Sequence, residues 1–336
     1  MTRPFPLRRR LLSGATATAA LALTTGSVRA QTSAAPAGWP ARPVRLVVPA
    51  AAGGQTDQFA RFVAEHLSRV FGQPFVVDNR PGGAGAIGAV QVAKAAPDGH
   101  ALLFSAASFT VVPQALNPNQ QYDLLRDLAP VVQIGAGGNF LAASVDSPIR
   151  TPKDLIDRAR ATPDALSYGT TGVGSVPHIL MSALLGQHGA RMAHVPYKSG
   201  AEVLRDLVGG VLQVGWVDTT TGGPAGAGGR IRLLGISGTF RVPGNPEVAT
   251  LAEQGFGSDL NGWLGLFAPT GTPDPVVRAV NAEVNRLMGL DEARKRLDTM
   301  NVASFPRNAP DEFARTVRSD VQAWRRIVVD NGIKVE

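Results

Sequence analysis

The sequence predicts an α/β protein of two lobes, each with a mostly parallel sheet flanked by helices. Three observations carry that expectation. Short, continuously apolar runs recur at residues 44–48, 75–78 and 101–105, and again between residues 140 and 237, as in parallel strands buried on both faces. Stretches of helical periodicity fill the intervals, the alternation of a sheet covered on both sides. The chain has 336 residues, enough for two domains.

The elements follow in order. After strand 44–48, Ala50 to Gly54 turns the chain into a helix from about Thr56, with Phe59, Val63, Leu67 and Val70 on one face. Strand 75–78 leads through a glycine turn to a second helix, which ends near Ala96. Pro97-Asp98-Gly99 is a turn signal before strand 101–105. A second cycle has a strand at 140–145, a helix opened by Thr151-Pro152, a strand at 166–169 and a helix near Val176. A further helix at 202–208, a strand at 211–217 and a last parallel-type strand at 233–237 complete it. Residues 242–275 are rich in Pro and Gly. Two C-terminal helices carry core stripes: Val276, Val280, Val284 and Leu287, then Phe313, Val317, Val321, Trp324 and Val328. Pro310 and Gly332 bracket the last helix. The expected division is lobe 1 at 40–138 and 236–336, and lobe 2 at 139–235.

Residues 1–30 read as a signal peptide. Arg8-Arg9-Arg10 precedes an apolar, Ala-rich stretch and Val28-Arg29-Ala30, a small-x-small site with cleavage expected after Ala30. The apolar part is short for a membrane span of about 20 residues. Residues 31–39 read as a flexible leader, and the mature protein is expected in the periplasm. The leader holds five of the 33 basic residues and none of the 26 acidic ones, so the remainder is close to neutral. With no basic run interleaved with aromatics, nucleic-acid binding is not expected. The absence of cysteine excludes disulfides, thiolate metal sites and a Cys nucleophile.

Three glycine turns occupy strand-to-helix junctions: Ala52-Gly53-Gly54-Gln55-Thr56-Asp57, Pro81-Gly82-Gly83-Ala84-Gly85 and Gly169-Thr170-Thr171-Gly172-Val173-Gly174-Ser175. Glycine lets backbone approach a ligand closely. The helix that follows presents unpaired N–H groups and the positive end of its dipole. Such a junction holds an anion without a basic side chain, and ligands of open α/β sheets sit at the C-terminal ends of strands. Carboxylate or phosphate capture is therefore the leading reading. Other motifs fall short. Gly83 to Gly88 matches G-x-G-x-x-G, but Asn79 to Gly82 separates it from the strand, and strand 101–105 ends without an acidic residue for a ribose. Gly169 to Ser175 lacks the P-loop lysine. The five histidines show no zinc spacing. Ser175 and His178 share a helix face as a nucleophile and base would, yet no third group orients them; binding or capping is preferred for both. No cofactor or metal is expected.

The ordered set of short motifs resembles the substrate-binding proteins of tripartite tricarboxylate transporters, the Bug family. These are Trp39-Pro40 through Pro43 to Pro49 with Gly53-Gly54, Asp57 and Ala60-Arg61; Val77 to Gly82 with Gly85 and Gly88; Pro97-Asp98-Gly99; Tyr168-Gly169, Gly172 to Ser175 and His178; His194 to Lys198; and Trp263 to Pro269 with Gly271-Thr272-Pro273. The resemblance covers essentially all of the chain beyond the leader. It implies a type II periplasmic-binding fold whose lobes close on a small organic carboxylate, which is then delivered to integral-membrane transporter subunits by a monomeric, non-enzymatic receptor. Presentation to a sensor kinase, and an exported Ser-dependent hydrolase, are the alternatives. It also implies ligand-binding roles for Gly53, Gly54, Asp57, Ser105, Ser108, Thr170, Thr171, Gly174, Ser175 and Asp218. Asp57 and Asp218 would repel an anion, so capping, loop-holding or contact with a ligand ammonium is expected of them. The chain departs from the family at Ala50-Ala51, Ser182 and Thr219-Thr220-Thr221; the threonines point to a polar or hydroxyl-bearing ligand.

Overall fold

The computed structural model describes residues 36–117, 120–257, 260–304 and 307–333. The expected leader and its cleavage site lie outside them, as do residues 31–35.

The chain opens with β1 (Val44–Val48), α1 (Gln55–Phe71), β2 (Phe75–Asn79), a single 3-10 turn (Gly83–Gly85) and α2 (Ala86–Ala93). Next come β3 (Ala101–Ala106), α3 (Ala107–Leu116), the short α4 (Leu124–Asp127) and β4 (Leu128–Gly137). The second cycle holds β5 (Asn139–Ser144), α5 (Pro152–Ala161), β6 (Ser167–Thr170), α6 (Val176–Gln187), β7 (Ala193–Pro196), α7 (Gly200–Val208), β8 (Val214–Asp218), α8 (Thr219–Ala227) and β9 (Ile231–Ile236). The chain closes with β10 (Gly262–Pro269), α9 (Asp274–Met288), α10 (Asp291–Thr299), β11 (Ala303–Ser304) and α11 (Pro310–Asp330).

Local chemistry accounts for these boundaries. The Thr151 hydroxyl accepts from the Asp154 amide while the Asp154 carboxylate reaches back to the Thr151 amide, a reciprocal cap that starts α5. Gly72, at φ 68°, ends α1. Phe59, Val63 and Leu67 are buried as their spacing predicts, but Val70 is 39% exposed: it falls in the last turn, where the helix leaves the core. The stripes of α9 and α11 are buried throughout.

Two sheets result. The first has the order β11-β4-β10-β3-β1-β2 and the second β7-β6-β8-β5-β9. The βα units give the expected parallel strands: β1 pairs with β2 and β3, and β6 with β7 and β8. β10 and β11 in the first sheet and β5 in the second run against them, so both sheets are mixed. β10 is antiparallel to β3 and β4, and β5 is antiparallel to β8 and β9. The last strand of the second cycle, expected to be of parallel type, does run in the same direction as β6, β7 and β8, but as an edge strand it pairs with β5 alone and its ladder is antiparallel. Burial does not determine which strand is the neighbour. That is decided by β5, which enters from the first sheet pointing the other way and lies between β8 and β9.

The chain passes between the sheets at Gly138 and again after Ile236. The two passages touch: the Asn139 amide donates to the Ser237 hydroxyl at 2.9 Å, and the Ser237 amide to the Asn139 carbonyl at 3.0 Å. A Cβ on Gly138 would run into the Ser237 carbonyl. One core cluster spans both sheets, joining Val47 and Leu103 to Leu141 and Trp216, with Phe313 and Trp324 of α11 among them.

Candidate functional site

The carboxyl ends of β1, β3, β6 and β8 lead directly into α1, α3, α6 and α8. All four helices begin at one cavity of about 790 Å³, lined by Gly54, Gln55 and Thr56 of the first, Ala106, Ala107 and Ser108 of the second, Ser175 and Val176 of the third, and Asp218 and Thr219 of the fourth. Its floor is the passage between the sheets, with Gly137, Gly138, Asn139 and Ser237. Among the described residues lining it there is no Lys, Arg or His, and Asp218 is the only acid. Positive potential therefore comes from backbone amides and aligned peptide dipoles.

At the first turn, Gly53 has φ 85° and Gly54 is the N-cap of α1. Asp57 is 2% exposed and stands behind this turn. It accepts from the Gly53 amide at 2.8 Å, from Arg61 Nε at 3.0 Å and from Asn79 Nδ2 at 3.0 Å. Burial pushes its carboxyl up, but these hydrogen bonds and the Arg61 charge outweigh that and hold it below the ordinary carboxylate range. α3 starts directly from β3, with Ala106 as its N-cap. Gly54 and Ala106 carry no polar side chain, so nothing of their own caps the first amides of α1 and α3, where they face the cavity.

The second-sheet turn is held by its own polar network. Ser175, the N-cap of α6, donates its hydroxyl to the Gly172 carbonyl at 2.7 Å and accepts from the His178 amide at 3.4 Å. His178 Nδ1 accepts from the Gly174 amide at 3.1 Å. The two side chains therefore do not form a nucleophile–base pair: the serine proton points at a carbonyl and the imidazole nitrogen at an amide. His178 stacks on His194 at 4.3 Å, and His194 on Tyr168 at 5.0 Å. His194 also meets the Thr170 hydroxyl at 2.7 Å. Desolvation lowers the pKa of both histidines, with the neighbouring His178 contributing at His194, which falls to about 4. At β8, Asp218 caps α8 by accepting from the Thr221 amide at 2.8 Å and from the Thr220 hydroxyl.

The structure brings Gly54, Ser108, Thr171, Gly174, Ser175 and Asp218 to the cavity. Gly53 is exposed and does not line the cavity, and Asp57, Ser105 and Thr170 stand behind its wall; Ser105 and Thr170 are fully buried. Of the three consecutive threonines, only Thr219 lines the cavity, since the Thr220 hydroxyl serves Asp218. The middle glycine turn contributes Ala84 alone. Its glycines serve packing: a Cβ on Gly85 would strike Phe109, and one on Gly88 would press on Pro49 at 3.0 Å. That accounts for the dinucleotide-like spacing. Sequence reasoning missed Asn139, Ser237 and Asn261 on the floor, and Phe109, Leu180, Trp263 and Trp324 on the walls. Trp263 was within a recognised motif; the rest carry no local signal.

A model of the tripartite tricarboxylate transporter family receptor, TctC, matches residues 59–333. A protein from the tcbD-tcbE intergenic region of Pseudomonas sp. strain P51 is 35% identical over 326 residues, covering 96% of this chain and 94% of its own. Among solved structures, Rpa4515 of R. palustris with adipate shares 32% identity at a TM-score of 0.77, covering 88% of this chain and 99% of its own. MatC from Rhodopseudomonas palustris with bound malate shares 30% at 0.73, covering 86% and 100%. The fold, the ring of helix N-termini and these likenesses agree, and the chain belongs to the TctC family of tripartite tricarboxylate transporter receptors.

Proposed function

We propose that this protein is a periplasmic receptor that captures a small organic carboxylate between the lobes built on its two sheets and delivers it to membrane transporter subunits. The observation that carries this reading is the convergence of four helix N-termini on one cavity that, among the described residues, has no cationic side chain. The amides of α1 and α3, which lack side-chain caps, would receive the carboxylate, and the turn from Thr171 to Ser175 would close on it from the second sheet. The paired passages at Gly138 and Ser237 form the hinge for a closure of the kind seen in periplasmic receptors. Relatives found with adipate and malate support the ligand class. Among the described residues, no helix is long and apolar enough to cross a membrane.

Titration calorimetry against a panel of carboxylic acids tests the reading, with the matching primary amides as controls. Binding of an acid, lost in its amide, is the expected result. Binding of no acid, or equal binding of acid and amide, would sink it. Delivery is tested by whether the loaded receptor, rather than the unloaded one, drives uptake in vesicles carrying the transporter subunits.

A further inference from the structure

The cavity is chemically two-ended, and two of its helices run from one end to the other. On α3 the lining starts with Ala107 and Ser108 and continues with Phe109, Pro113 and Leu116. Leu116 lies about 13 Å along the axis from Ala107, at 1.5 Å per residue. On α6 it starts at the Ser175 cap and continues with Val176, Pro177 and Leu180. Trp263 and Trp324 line the same cavity. They belong with Leu180 to the core cluster that spans both sheets, and Leu116 and Val176 pack against it.

Among the described residues, the side chains of this end offer a ligand at most one hydrogen-bond donor. The Trp263 indole N–H is taken by Asp320 at 2.8 Å, and that of Trp324 has no partner but is buried away from the surface. Backbone amides beyond the first turn of α3 and α6 are spent within the helices. A carboxylate moved here would lose its hydration without a partner, whereas methylenes or an aromatic ring would gain from leaving water.

Resting on the carboxylate-receptor reading above, we infer that the ligand is an amphipathic monocarboxylic acid. Its one carboxylate lies at the helix N-termini, and its aliphatic or aryl body lies on the wall formed by Phe109, Leu116, Leu180, Trp263 and Trp324. Di- and tricarboxylates of the same length are disfavoured, because their second charge falls on that wall. Asp218, the only charged side chain lining the cavity among the described residues, adds repulsion for any further anion.

Calorimetry with butyrate, hexanoate, 3-phenylpropionate, adipate and citrate tests this. Each methylene buried should tighten binding about fourfold, so hexanoate should exceed butyrate by roughly fifteenfold. Adipate, which matches hexanoate in length, should bind at least tenfold more weakly than hexanoate. The Phe109→Ala and Leu180→Ala variants, shown by thermal melting to be folded, should lower the ratio of 3-phenylpropionate to butyrate affinity. A series flat in chain length, adipate or citrate binding as tightly as hexanoate, or an unchanged ratio in both folded variants overturns the inference and leaves the carboxylate reading standing. No binding by any of the five acids overturns both.

Discussion

At Asp57 a carboxylate belonging to a recognised motif is turned away from the cavity and inward on the loop. Removing it in Asp57→Ala leaves the Gly53 amide without its acceptor and takes one of two from Asn79 Nδ2, which keeps the Ala50 carbonyl. The expected loss is about 1–3 kcal/mol of stability, measured by urea denaturation. Its folded pKa lies below the unfolded value. Its contribution is therefore present above about pH 4 and fades as pH falls through the lowered value. Asp320 has the opposite sign. Burial raises its pKa to about 6, with only the Trp263 N–H opposing. The folded state then holds a proton that the unfolded chain has released, so this term weakens stability as pH rises from about 4 to 6. In Asp320→Asn the amide oxygen still accepts from Trp263 and no charge is buried. We expect a gain on the order of 2 kcal/mol at neutral pH. His194 pulls the other way over nearly the same window. Its folded pKa of about 4 lies below the ordinary histidine value, so acidification from about 6.5 toward 4 destabilises. Asp320→Asn should expose that loss as a steeper acid limb in a series of urea melts. An acid limb unchanged from the parent protein would show that the two groups do not oppose each other.

Among the elements, α6 shows how the binding turn is maintained. The Ser175 hydroxyl donates to the Gly172 carbonyl and holds the turn closed. Ser175→Ala should cost about 1 kcal/mol as a lost N-cap, read as a lower midpoint of thermal unfolding. The passage between the sheets sets a sharper constraint. Gly138→Ala forces a methyl against the Ser237 carbonyl and should cost about 1–3 kcal/mol by overpacking. A variant as stable as the parent in denaturant titration would mean that the two strands part without cost. Three of the elements that escaped sequence reasoning have a common character. α3 contains Pro113 and the β-branched Thr110, Val111 and Val112, and β4 contains Pro130. β10 is bounded by glycine and proline. Local propensity argues against each of them, and long-range pairing and packing override it.

For the whole molecule, the shared core matters most. Residues from both sheets and α11 form one cluster, so the two lobes should unfold together, as a single transition in scanning calorimetry with equal calorimetric and van't Hoff enthalpies. A second resolved transition would mean that the lobes are energetically separate. A bound ligand at about 100 times its dissociation constant should add about 2.7 kcal/mol to that transition.

Much of this was determined by the sequence alone. Apolar runs and helical stripes placed most of the βα units, because burial on both faces and one-sided burial each impose a period on the chain. Glycine turns at strand ends identified three of the junctions, and the middle one proved to be packing. The ordered motifs identified the family. Tertiary structure decided the rest. Strand order, the pairing of the two passages at Gly138 and Ser237, and the retreat of Asp57, Ser105 and Thr170 behind the wall depend on contacts between residues far apart in the chain. So does the apolar end of the cavity. Phe109, Leu180 and Trp324 each look like ordinary core positions in their own helices, and only the meeting of α3, α6 and α11 around the cavity makes them a wall.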